Sequence, residues 1–157
     1  MPEPQSPLAL ANFIITRAIT DQQPVTNRKL NKLMFLIQGY WLAHYHQPLA
    51  TLAFNHDPAG PLEATVYPHF KFVGSFPITS LATQINHTAS DLYLTQPHLT
   101  LPTTEQIILA KLVHTLNQLP SHHLTSLINH HAVLTDRAYT DEELIACYQA
   151  VAAVCQH

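Results

Sequence analysis

The stretch KLNKLMFLIQGYWLAHYHQPL, Lys29 to Leu49, decides how the rest of the chain is read. Leu30, Leu33, Met34, Ile37, Trp41 and Tyr45 recur at three- and four-residue steps, which lines them along one face of an α-helix. Just upstream, Thr26 is a suitable N-cap, and Val25 and Leu30 hold the two positions of a hydrophobic staple. The helix should end by about His46, because Pro48 cannot continue it. Some twenty residues at about 1.5 Å each give it a length of roughly 30 Å. Phe35, Leu36, Tyr40 and Leu42 make the other faces apolar as well. A helix apolar nearly all round is buried, or buried on one side and bound to a partner on the other. It is expected to be the central helix of the fold.

Working outward, residues 1–7 are polar and Pro-rich and are expected to be extended or disordered. Ala11, Ile14, Ile15 and Ala18 predict an amphipathic helix from about Leu8 to Ile19, ended by Asp21 to Pro24. Beyond the long helix, Gln47 to Gly60 reads as a loop with a short strand at Thr51 to Phe54. Pro61 suits the first position of a helix, and Leu62, Val66 and Phe70 continue a helical spacing toward Gly74, with a kink expected at Pro68. Residues 79–103 carry no period, apart from a brief strand at Asp91 to Thr95. Thr103 and Gln106 have capping-box spacing ahead of a helix reaching about Leu119, and Ser121 is placed to cap the short helix that follows. Thr140 and Glu143 repeat the capping box before Leu144, Tyr148, Val151 and Cys155. The fold class is therefore mainly α: a compact single domain over residues 8–157, with five to six helices and room for one small β-hairpin.

The composition bounds the function. A chain of 157 residues, 46% of them hydrophobic, is enough for one domain with a real core. Only 11% are Asp, Glu, Lys or Arg, the formal net charge is -3, and twelve His outnumber seven Lys and Arg. Nucleic-acid binding normally needs a basic stripe, and here only Arg28, Lys29 and Lys32 cluster. No uninterrupted apolar run of about 20 residues exists to span a membrane, and Met1 to Ser6 lack the pattern of a secretory signal. Cys147 and Cys155, eight residues apart on one helix, would stand about 12 Å apart, too far to bridge. Unpaired thiols fit a reducing cytoplasm.

Residue patterns for catalysis are thin. His122–His123 and His130–His131 are adjacent pairs that diverge by about 100° on a helix, and His44 and His46 also diverge, so none has the spacing of helical metal ligands. With three glycines the chain has no GxSxG elbow, P-loop or GxGxxG. Glu63, Asp57 and the cluster Asp141, Glu142, Glu143 are the carboxylates available for acid–base work, and the cluster reads as helix capping. No enzyme activity, cofactor or metal is expected.

The Lys29–Leu49 stretch resembles the KLQKLLYYAQGWYLA…PL stretch of the Panacea antitoxin domain family, which includes SocA- and GepA-like phage-associated proteins. AGPLEATVYPHFKFVGSFPI, Ala59 to Ile78, is similar to the family's YGPV…VY..F..YG…I block. Gly39, Gly60 and Gly74 fall on glycine positions of these blocks, the Leu8–Ile19 segment resembles the family's opening segment, and SLINHHAVLTDRAYTDEELIACY follows more loosely. The chain departs from the pattern at Asn55 and Asp57, at Pro68, and in having no Trp after His131. The resemblance implies a bacterial or prophage antitoxin that neutralises a protein toxin, encoded by an adjacent gene, through direct contact. Arg28, Lys29, Lys32, Tyr40, Trp41, Gly60 and Pro61 are the expected partner-binding residues; Leu30, Leu33, Gln38, Gly39, Tyr67, Phe70 and Gly74 are the expected structural motif. Alternatives are a proteolytic adaptor, a DNA-associated regulator of its own operon and a metal-dependent hydrolase; homo-oligomerisation is also open.

Overall fold

The computed structural model describes residues 3–132 and 135–155. Met1, Pro2, Val133, Leu134, Gln156 and His157 lie outside them; they belong to the expected N-terminal segment, the loosely similar stretch and the end of the domain. In chain order the elements are α1 (Pro7–Thr20), α2 (Asn27–Tyr45), β1 (Phe54–Asn55), β2 (Leu62–Glu63), α3 (Val66–His69) with a 3-10 turn at Lys71–Val73, β3 (Gln84–His87), β4 (Leu92–Thr95), α4 (Thr103–Asn117), α5 (Ser121–His131) and α6 (Asp141–Cys155). The fold is mainly α, with two small antiparallel strand pairs, β1–β2 and β3–β4.

Local chemistry sets the helix starts. Ser6 Oγ accepts from the Ala9 N–H with Pro7 opening α1, and Thr26 Oγ1 accepts from the Lys29 N–H at the start of α2. Val25 and Leu30 are both buried, as the staple requires. At α6 the capping box forms as read: Thr140 Oγ1 accepts from the Glu143 N–H, and Glu143 Oε1 from the Thr140 N–H at 3.0 Å.

Every residue from Leu30 to Gly39 is buried, so α2 is the axis of the molecule. Helices α1, α4, α5 and α6 pack around it, α6 most extensively. The buried side chains form one contiguous cluster, with Ile14, Ile15, Leu33, Phe35, Ile37, Leu109, Leu124 and Val151 among its members.

Four local expectations are corrected. Residues 61–74 do not form one helix: Leu62 and Glu63 pair antiparallel with Asn55 and Phe54, and helix returns only at Val66. The reason is Glu63, whose buried carboxylate accepts from the N–H groups of Ala53, Thr65 and Val66 at 2.8–3.0 Å and so fixes the strand exit and the start of α3 together. Pro68 does not kink this helix, because it lies in the first turn, where N–H groups have no intrahelical acceptor. Thr103 is the first residue of α4 rather than its cap, and Gln106 Nε2 donates to the Leu101 carbonyl. Ser121 opens α5 without capping it, since its hydroxyl is taken by Lys32. The strand expected at Asp91–Thr95 is β4, which joins β3 in the second hairpin.

Candidate partner-binding surface

The first turn of α2 is fastened to the segment around α3 by a chain of buried amides. Asn27 Nδ2 donates to the Tyr67 carbonyl at 2.9 Å. Asn31 Nδ2 donates to the Asn27 carbonyl and side-chain oxygens, and Asn31 Oδ1 accepts from the Glu63 N–H at 2.7 Å. Both asparagines are buried, so each must find such partners or leave polar groups orphaned.

This fastening positions Arg28. Its side chain is 44% exposed, its guanidinium lies 5.5 Å from the centre of the Tyr67 ring, and it donates to the Tyr67 hydroxyl at 3.3 Å and to Asp57 at 3.4 Å. Beyond Tyr67, the 3-10 turn and Gly74 (φ 67°) carry two aromatic rings into solvent: Phe72 is 83% and Phe76 74% exposed. A cavity of ≈ 370 Å³ lies between the start of α2 and this segment, lined by Thr26, Asn27, Arg28, Tyr67, Lys71, Gly74 and Ser75. Exposed aromatics and arginines are the side chains that the centre of a protein interface uses for anchoring.

The other expected site residues lie elsewhere. Lys29 is half-buried and donates to the Asn117 carbonyl at the C-terminal end of α4, where the helix dipole favours a cation; burial lowers its pKa. Lys32 is 4% exposed and donates to Ser121 Oγ at 2.6 Å. Burial pushes its ammonium down to about 8, with Arg28 and Lys29 adding repulsion. Gly60 and Pro61 are buried, and Gly60 lies over that lysine: a Cβ on it would stand 2.7 Å from Lys32 Cε. Trp41 is buried, while half-buried Tyr40 stacks on His44 at 4.0 Å and meets Tyr148 edge-on.

Among the motif residues, Leu30, Leu33 and Phe70 are core. Gln38 donates to the Ala50 carbonyl and accepts from the N–H groups of Leu49 and Ala50, which ties the Gln47–Pro48 loop to α2. Gly39 meets α6, and Gly74 faces open space. Sequence reasoning missed Phe72, Phe76 and Lys71 as surface residues. The one signal was the run Phe70, Phe72, Phe76 around Gly74, which cannot keep all three rings on one helical face.

Among the described residues, no three His, Cys, Asp or Glu side chains gather where a metal could sit. Cys147 and Cys155 are unpaired, and burial pushes the Cys147 thiol up to about 12, which keeps it protonated and unreactive. Glu63 spends its carboxylate on backbone N–H groups. No described helix is long and apolar enough to cross a membrane.

No curated protein and no solved structure matches the chain. A family model described as "Antitoxin SocA-like, Panacea domain" matches residues 30–132, from the first buried leucine of α2 through the end of α5. That is 103 of 157 residues (132 − 30 + 1), and it takes in Tyr67, Phe72 and Phe76 while leaving α1 and α6 outside. The chain belongs to the family of SocA-like antitoxins with a Panacea domain.

Proposed function

We propose that this protein is the antitoxin of a toxin–antitoxin pair and neutralises its toxin by direct, stoichiometric contact, covering the toxin's active surface without a cofactor. The contact is centred on Arg28, Tyr67, Phe72 and Phe76. The observation that supports this placement is the pair of phenylalanines at 83% and 74% exposure, on a segment inside the family match. Large rings left in water at that level are costly unless a partner covers them. Of the residues expected from sequence, Arg28 acts at the contact itself. Lys29, Lys32, Gly60 and Pro61 act from behind it, by holding the start of α2 and the turn over Lys32 in place, while Trp41 is buried toward the other end of that helix. Tyr40, on the opposite end of α2, offers a smaller aromatic patch.

The test is rescue of growth. Each gene adjacent to this one is expressed with and without the protein, and any complex is recovered by a tag on the neighbour. A toxic neighbour that is rescued and co-purified supports the reading. Phe72→Asp with Phe76→Asp, and separately Arg28→Glu, should then abolish rescue while leaving the melting temperature unchanged. Stable variants that rescue as well as the wild type remove this surface from the contact, and the absence of any toxic neighbour removes the function.

A further inference from the structure

The β3–β4 hairpin is built inside out. Its register sets Ile85 opposite Leu94 and His87 opposite Leu92, so these four share one face, while Gln84, Asn86, Tyr93 and Thr95 share the other. A hairpin lying on a protein normally turns its apolar face inward. Here Ile85, Leu92 and Leu94 are 69%, 75% and 69% exposed, whereas Asn86 and Thr95, hydrogen-bonded to each other, are the half-buried residues. A two-stranded hairpin in water is marginal without something packed on it. Neither strand carries Lys, Arg, Glu or Pro, the residues that usually blunt a free edge.

We propose that a second copy of this chain covers this face, the two hairpins packing with Ile85, Leu92 and Leu94 of each against those of the other. Charge favours a copy as the occupant. The face holds no Asp, Glu, Lys or Arg, so an identical face meets no repulsion, and a formal net charge of -3 over 157 residues opposes association only weakly. A twofold interface requires a patch complementary to itself, and a face of three aliphatic side chains with one imidazole, His87, at its edge is that when the imidazole is neutral. Area sets the strength. Three aliphatic side chains at these exposures present roughly 400 Å², the size of the largest patch on a typical monomer. Paired, they bury at most about 800 Å² in total, below the range of stable specific interfaces, so the dimer is weak and reversible. The face shares no residue with the Phe72–Phe76 contact, and the proposal does not depend on a toxin.

Sedimentation velocity on the full chain from about 1 to 500 µM spans the range expected for an interface of this size. The mass should rise from 17.6 kDa toward twice that value. Leu94→Lys and Ile85→Lys should each raise the dissociation constant at least about tenfold at an unchanged melting temperature. Independently of any variant, the amides of Gln84–Thr95 in the wild type should exchange more slowly as concentration rises. A mass that stays monomeric throughout, or a dimer that both Lys variants leave intact, overturns the proposal. So does Leu94→Lys abolishing toxin rescue without changing the mass, which would assign the face to the toxin.

Discussion

Gly39 of α2 lies against the main chain of Leu144 in α6: a Cβ built on Gly39 would overlap the Leu144 carbonyl and stand 2.9 Å from the Tyr148 Cβ. The most extensive helix pair of the fold is therefore as close as its backbones allow. Gly39→Ala tests this with two opposed effects. Alanine gains about 1 kcal/mol in helix propensity, while overpacking typically costs about 1–3 kcal/mol. The clash is with backbone, which cannot rotate aside, so the loss falls at the upper end and the net change is a destabilisation of about 2 kcal/mol. For a domain of this size that is a fall of roughly 4–8 °C in Tm. An unchanged or raised Tm would show that α2 and α6 are not in backbone contact.

The long helix was legible because its signal is local: Leu30, Leu33, Ile37 and Trp41 each bury where a 3.6-residue period puts them. The caps at Thr26 and Thr140 were legible for the same reason. The segment after Gly60 was not. Leu62, Val66 and Phe70 do keep helical spacing, but Glu63 draws N–H groups from two separate stretches of backbone, and that three-way closure leaves no trace in a window of neighbours. The surface rings were hidden by the same misreading, since a helix continued to Gly74 would have buried part of the run. Lys29 and Lys32 form a basic cluster in sequence, yet their acceptors lie 88 and 89 residues away, at Asn117 and Ser121.

Glu63 should be among the most sensitive polar positions. Replacing it with Ala orphans the N–H groups of Ala53, Thr65 and Val66. An unsatisfied buried donor costs about 1–3 kcal/mol, and of the three residues only Val66 is buried, so Glu63→Ala should lose at least about 1 kcal/mol. Glu63→Gln keeps one acceptor oxygen and should lose clearly less. Urea unfolding of both variants decides it: an equal loss for Gln and Ala would mean that the hydrogen bonds do not carry the effect.

Lys32 should leave a mark on the alkaline side. Its ammonium is buried without a carboxylate, and burial pushes its pKa from 10.5 down to about 8. Between those values the unfolded chain keeps the proton that the folded protein has released, so this group raises stability as pH rises. Lys32→Met removes the cost of burying the charge and loses the bond to Ser121, and it should not share that rise. The stability of Lys32→Met relative to wild type should therefore fall steadily from pH 8 to 10. The comparison matters because Cys147, whose pKa is raised from 9.0 to about 12, works the other way in the same range. A constant gap across the series would mean that Lys32 titrates as it does in water.

On the acid side the equivalent group is His56. Its ring stacks on Tyr139 at 3.6 Å, both ring nitrogens are buried without a hydrogen-bond partner, and burial lowers its pKa from 6.5, with Arg137 adding to the shift and Glu143 opposing it. As pH falls through 6.5 the unfolded chain takes up a proton that the folded protein refuses, so stability present above 6.5 is lost. His56→Phe keeps the stack on Tyr139 and abolishes the titration. Thermal unfolding at intervals from pH 7.5 to 5 should show the wild type losing more Tm than His56→Phe. That window lies above 4.5, the ordinary value from which Glu143 is itself lowered, and far above Asp21, held down at about 2 by Arg17, so the carboxylate losses do not intrude. Parallel curves for the two proteins would mean that His56 is protonated in place, and that the Asn55–Asp57 turn opens to let water reach it.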